Sequence, residues 1–126
     1  MKLWSAAVAP NPRRVEIYLM EKGIEVETEN IDLGAKANYE PEFVAMNPLA
    51  RVPVLELDDG TFLAESKAIC RYFEETHPKP PLLGSNTQER ALIEMWDRRM
   101  ESELMGNITG AFRHLHPYWD GRIEQI

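Results

Sequence analysis

Apolar residues come in short blocks, and their spacing changes from one block to the next. "KLWSAAV", residues 2–8, is a compact apolar run and predicts a buried strand. Beyond it Val15, Tyr18, Leu19 and Lys22 recur at helical spacing; Pro12 suits a first helical position and Gly23 a C-terminal stop. In "IEVETENI" the residues Ile24, Val26 and Thr28 alternate with Glu25, Glu27 and Glu29, the period of a half-exposed strand. A mixed stretch leads to a short helix predicted over Pro41 to Met46, ended by Asn47-Pro48. "VPVLEL" and "TFLA" flank Asp58-Asp59-Gly60, which signals a two-strand hairpin. "ESKAICRYFEETH" then sets Ile69, Cys70 and Phe73 on one helical face. The predicted order is β-α-β-α-β-β-α.

A proline- and glycine-rich segment, "PKPPLLGS", interrupts that order and reads as a linker. The chain is therefore divided into residues 1–79, a linker over 80–86, and a second part over 87–126 that begins an all-helical domain. Asn86 with Glu89 three positions on is a capping-box signature. Leu92, Trp96, Met100 and Leu104 follow four residues apart with Met95 beside them, a stripe that needs a partner from its own domain or another chain. "GNITG" weakens this helix near Gly106.

Composition narrows the function. The 126 residues are 44% apolar and 28% charged, a soluble globular balance, and carry a net charge of −7. A net negative chain is a poor partner for nucleic acid or for anionic membranes. No apolar run approaches the roughly 20 residues of a membrane span, and "AAVA" is too short for the core of an export signal. The single cysteine, Cys70, excludes an internal disulfide and fits a reducing compartment, so a cytoplasmic location is expected. Cys70 lies on the apolar helical face, and there is no Cys-x-x-Cys pair for dithiol chemistry. His114 and His116 are too close in sequence to share a helix face and have no third ligand at suitable spacing, so no metal is expected.

Pro53 at the head of the third strand is the remaining irregularity. Proline removes a ladder donor, so it marks either an ordinary edge strand or a cis peptide that turns backbone groups outward. The element order with this proline is the thioredoxin-like pattern. Within it, "NPLARVPVLELDDGTFLAESKAICRYFEE" resembles the glutathione-binding half of the cytosolic glutathione transferases. The resemblance covers residues 1 to about 79, with the linker and first helix of the second domain beyond. It implies that Val52 pairs its backbone with the cysteinyl unit of glutathione beside a cis Pro53. It implies too that Glu65 and Ser66 hold the γ-glutamyl end.

The residue types suit that role. Ser66 at a helix start offers a hydroxyl and free N–H groups to a carboxylate, Glu65 can meet an ammonium, and Arg51 can meet a second carboxylate. The plainer alternatives are a helix cap for Ser66, a first-turn acid for Glu65 and a solvated side chain for Arg51. In this family the thiol is activated from the loop before the first helix. The position of the usual serine or cysteine falls on Ala9, and that of the tyrosine on Ser5. Ala9 has no group to offer, which leaves Ser5, with its short side chain, and Asn11. Pro10-Asn11 resembles the loop of the bacterial nu class, in which an asparagine meets the glutathione sulfur, although Ala9 departs from that class's threonine. Asn11 could equally cap a helix beginning at Pro12. Arg13 and Arg14 follow close to the same cleft, but arginines of a first helix are more often solvated.

The resemblance implies a glutathione transferase with glutathione as co-substrate, acting on a small electrophile or reducing a peroxide or disulfide. A homodimer is expected. The competing reading is a non-catalytic module of the same fold used for protein association, which Ala9 favours. An isomerase of the zeta type is disfavoured because "APNP" lacks that class's serine-cysteine loop. Relatives continue with further helices, so the exposed stripe is expected to belong to a fragment or to a dimer that exchanges helices.

Overall fold

The computed structural model describes residues 1–125. Ile126, the last residue of the predicted helical part, lies outside the described residues. Strand β1 (Lys2–Ser5) leads to helix α1 (Pro10–Lys22), β2 (Glu27–Asn30), α2 (Pro41–Met46), the hairpin β3 (Val54–Glu56) and β4 (Phe62–Ala64), and α3 (Ser66–Thr76). The sheet order is β2-β1-β3-β4, with β1 parallel to β2 and the other two pairings antiparallel. This is the expected thioredoxin-like βαβαββα arrangement. A long helical stretch follows it, α4 (Thr87–Arg99) and α5 (Gly106–Leu115), joined through a π-helical segment over Met100–Met105.

The core forms where helix and strand periods coincide. In β1 the pleat turns Leu3 and Ser5 inward, while Lys2 and Trp4 are only half-buried. Helix α3 buries Ser66, Ile69, Cys70 and Phe73, one stripe at helical spacing. Val15 and Leu19 of α1 meet that stripe together with Leu3 and Leu55 from the sheet. The hairpin closes over Asp58-Asp59-Gly60, with the Leu57 N–H bonded to the Thr61 carbonyl at 2.8 Å and Gly60 at φ 83°.

Three expectations need correction. Helix α1 starts at Pro10, not Pro12, and Ala9 is its cap residue. Two prolines are accommodated because neither first-turn N–H would have had an intrahelical partner. The second strand is shorter than its alternation suggested: all four residues of β2 are exposed, because it is the outer strand of the sheet. At α4 the Asn86 side chain does accept from the Glu89 N–H (3.0 Å), but the Glu89 carboxylate turns back to the N–H of Ser85 (2.8 Å) and to its hydroxyl. The box is thus shifted by one residue.

Tight polar packing fastens the far ends of α1 and α3. The Lys22 side chain is fully enclosed, and its ammonium donates to the carbonyls of His77 (2.7 Å) and Pro80 (2.8 Å) and pairs with Glu74 (2.6 Å). All three of its donors are used. Tyr18 donates to the same Glu74 carboxylate. Burial, with Glu74 adding to it, pushes the Tyr18 hydroxyl far above the usual tyrosine range. The chain separates into two units, one over Met1–Pro81 and the other from Leu82 onward. In the second unit Leu92, Trp96, Met100 and Leu104 are exposed, as are Ile108 and Phe112 beyond the π-helical segment.

Candidate functional site

The first turn of α1 has been cleared of hydrogen-bond donors except at one residue. Pro10 and Pro12 have no N–H. The Ala9 N–H is spent on the Ala6 carbonyl (3.0 Å), and the Arg13 N–H on the Ala9 carbonyl (3.3 Å). Asn11, between the prolines, is exposed, and its N–H meets no acceptor among the described residues. It caps nothing: α1 has no side-chain cap bond. Its side-chain Oδ1 instead accepts from Arg14 Nη1 at 3.1 Å. A guanidinium only donates, so the amide oxygen faces Arg14 and the Nδ2 hydrogens are left over.

The same Arg14 nitrogen donates to Ser66 Oγ at 2.6 Å. Ser66 is the first residue of α3 and is buried, and Glu65 before it stands at φ 71°. A non-glycine residue held there stores backbone strain of about 1–3 kcal/mol, which the surrounding structure must sustain. The arrangement aims the first N–H groups of α3, with the positive end of its dipole, past Ser66. Arg14 therefore links Asn11 to Ser66 across the starts of two helices, with Glu65 next to Ser66 in the chain.

A third element, the loop before β3, carries the remaining candidate residues. The Val52-Pro53 peptide is cis, one of the two alternatives left open by the sequence. The backbone groups of Val52 have no partner among the described residues. The loop before it is pinned by two buried asparagines. Asn38 Nδ2 donates to the Ala50 carbonyl at 2.8 Å, and Asn47 Nδ2 donates to the Arg51 carbonyl at 2.8 Å. Asn47 Oδ1 also accepts from the Leu49 N–H (3.2 Å). Arg51 is exposed, and its guanidinium has no partner among the described residues. A fixed loop thus carries an unpartnered backbone edge and a free cation beside it.

This architecture has known counterparts. The family description "Glutathione S-transferase, N-terminal domain" matches residues 8–76, more than half of the chain. The chain belongs to the glutathione S-transferase family. Glutathione S-transferase 2 of Saccharomyces cerevisiae is 38% identical over 126 residues, covering 98% of this chain and 54% of that protein. The crystal structure of Gtt2 from S. cerevisiae superposes with a TM-score of 0.92 at 35% identity, over 100% of this chain and 62% of that one. A glutathione S-transferase domain-containing protein from Marinobacter aquaeolei VT8 gives a TM-score of 0.89 at 39% identity, over 100% and 63%. The chain thus spans a little over half the length of its yeast relative and under two thirds of these solved structures.

Within this glutathione S-transferase fold the site residues named from sequence separate clearly. Arg14 joins Asn11 to Ser66, with Glu65 next in the chain, and Arg51, Val52 and Pro53 share the pinned loop. Ser5 is placed differently: it is buried at the end of β1 and donates its proton to Glu16 at 2.5 Å. A hydroxyl spent in that way has no proton to offer a thiol. Sequence reasoning undervalued Arg14 and passed over Asn38 and Asn47. For Arg14 a signal existed, since it follows Asn11 by three residues on one helix and such residues are neighbours. For Asn38 there was none, because its acceptor is a backbone carbonyl twelve residues on. Asn47 bonds within its own loop, to the carbonyl four residues on, where no periodic pattern marks the contact. Among the described residues no group of three His, Cys, Asp or Glu side chains could hold a metal ion, and no helix is long and apolar enough to cross a membrane.

Proposed function

We propose that this chain binds glutathione across the three elements and stabilises its thiolate for transfer to a small electrophile, or for reduction of a disulfide or peroxide. The observation that carries the reading is the unpartnered backbone of Val52, held between a pinned loop and β3. An extended peptide ligand can pair with such an edge through its own N–H and C=O. The γ-glutamyl carboxylate would lie on Ser66 and the start of α3, its ammonium by Glu65, and the glycyl carboxylate by Arg51.

The cysteinyl thiol then reaches the first turn of α1. There the Asn11 side-chain amide, its N–H and the helix dipole favour the thiolate, lowering a thiol pKa from about 8.5 toward neutrality. No proton acceptor is needed on the protein if the thiolate is simply more stable than the thiol at working pH. The nucleophile forms without a protein hydroxyl, consistent with Ala9 in the family's serine position and with the proton of Ser5 committed to Glu16. Attack on a bound electrophile gains from orientation and from the standing thiolate. The Pro10-Asn11 pair supports a nu-like mode of activation, within a protein whose relatives include the yeast enzyme. A homodimer in the cytoplasm is part of the same proposal, resting on the exposed stripe of α4 and on the single buried thiol.

Calorimetry with glutathione tests the binding step, followed by turnover with a chloronitrobenzene and with hydroxyethyl disulfide. Micromolar to millimolar binding with turnover of either compound is expected. Absence of glutathione binding would overturn the proposal. Binding without turnover would favour the second reading, a non-catalytic association module, for which the missing hydroxyl at Ala9 speaks.

A further inference from the structure

The geometry points to Arg14 as a positioning residue that sets the orientation of the Asn11 amide and links it to the start of α3. The inference rests on the proposed glutathione reading and adds to it a residue that acts through another. One nitrogen, Nη1, makes both contacts, 3.1 Å to Asn11 Oδ1 and 2.6 Å to Ser66 Oγ. Its two hydrogens are therefore both used, and the remaining N–H groups of the guanidinium have no partner among the described residues.

Three consequences follow from that placement. An exposed asparagine amide is free to rotate and to present either its oxygen or its nitrogen to a ligand. Arg14 removes that choice, because its donors can be matched only by the oxygen. The amide nitrogen is thereby the atom left for an anionic sulfur. Secondly, Arg14 is half-buried and bridges two helices, so it holds Asn11 in a frame tied to α3 as well as to its own helix turn. Thirdly, a carboxylate seated at Ser66 would meet the spare Arg14 donors. Such a contact would further order the guanidinium and, through it, the Asn11 amide, coupling occupancy of one end of the ligand to readiness at the other.

The test uses the 126-residue chain with glutathione and with S-methylglutathione, which fills the same seat without a thiol. The readouts are the ultraviolet thiolate absorbance of bound glutathione at pH 7 and the separate effects on KM and kcat. Asn11→Ala should lower the ratio of bound thiolate to thiol about tenfold, the equivalent of one pKa unit, with S-methylglutathione affinity kept within about twofold. Arg14→Gln should lower the thiolate fraction comparably and also weaken S-methylglutathione. The double variant should lose no more thiolate than either single one, the mark of residues acting as a unit. Asn11→Asp keeps the acceptor toward Arg14 but lacks the donor, and should resemble Asn11→Ala. Arg14→Lys should recover part of the thiolate, and it replaces Arg14→Gln as the test if that variant does not fold.

Weaker S-methylglutathione binding with an undiminished thiolate in the Arg14 variants would overturn the inference while leaving the function intact, since Arg14 would then be a ligand contact alone. Additive losses in the double variant would overturn it likewise. An unchanged thiolate in Asn11→Ala, or no glutathione binding by the unmodified chain, would instead sink the underlying reading.

Discussion

Asn47 does more for the site than its small, buried side chain suggests. It donates to the Arg51 carbonyl and accepts from the Leu49 N–H, so Asn47→Ala strands two backbone groups in the loop that carries Val52. A destabilisation of about 1–3 kcal/mol is expected on thermal denaturation. On the proposed glutathione reading, a raised KM for glutathione with kcat nearly intact should accompany it, because the proposed seat and not the proposed sulfur contact would be disturbed. Tyr18 gives a second expectation. Its hydroxyl is held above its ordinary value of 10.0, so its contribution to stability is complete below that pH. Above it the unfolded chain releases a proton that the folded chain retains, and stability is lost as pH rises. The melting temperature of the unmodified chain should therefore fall more steeply than that of Tyr18→Phe above about pH 10. Equal slopes would show that this hydroxyl titrates freely. Tyr18 was beyond reach in the sequence because its partner is brought close only by the fold, Glu74 lying 56 residues away. The partners of Asn47, by contrast, are two and four residues on, in a loop with no periodicity to reveal them.

The helices and strands themselves were far more legible, because periodicity and stop signals are local. Ile69, Cys70 and Phe73 fall on the buried face of α3 as their spacing required, and α2 runs from Pro41 to Met46. What misled was competition between equally good local signals. Pro10 and Pro12 both suit a first turn, and only the folded loop shows that α1 takes in both. The π-helical segment over Met100–Met105 left no trace beyond the glycine after it. Glycine placement offers a comparison between two ends. Gly23 stands at φ 64° with no atom within 4 Å of where a Cβ would sit, so Gly23→Ala should cost only the left-handed penalty of about 1 kcal/mol. Gly84, at φ 96°, would put a Cβ 2.7 Å from the Arg90 backbone nitrogen. Gly84→Ala should be clearly the worse of the pair by denaturant titration. Equal midpoints would mean that the start of α4 yields freely. Removing the cap, Asn86→Ala, should cost about 1 kcal/mol by the same measurement.

Seen entire, the chain pairs a well-enclosed first unit with a second whose apolar stripe faces water. Leu92, Trp96, Met100, Leu104, Ile108 and Phe112 are all at least 44% exposed. That stripe was readable from the four-residue spacing, whereas its partner was not, since periodicity reports a face and never what covers it. Sedimentation should show mass above the 14.5 kDa of one chain at rising concentration, and Trp96→Glu should reduce it. A chain that stays monomeric at every concentration, with no change in the variant, would remove the proposed dimer. The net charge of −7 opposes association, so added salt should promote it.

The pair of prolines around Asn11 has a spectroscopic corollary. Imino acids yield no amide resonance, so between Ala9 and Arg13 a nitrogen-15 correlation spectrum holds one backbone peak, from Asn11. Its chemical shift, and that of its side-chain pair, become a built-in gauge of what sits at that corner. Under the proposed reading, a glutathione titration watched there should shift both signals, and signals that stay in place would place the sulfur elsewhere.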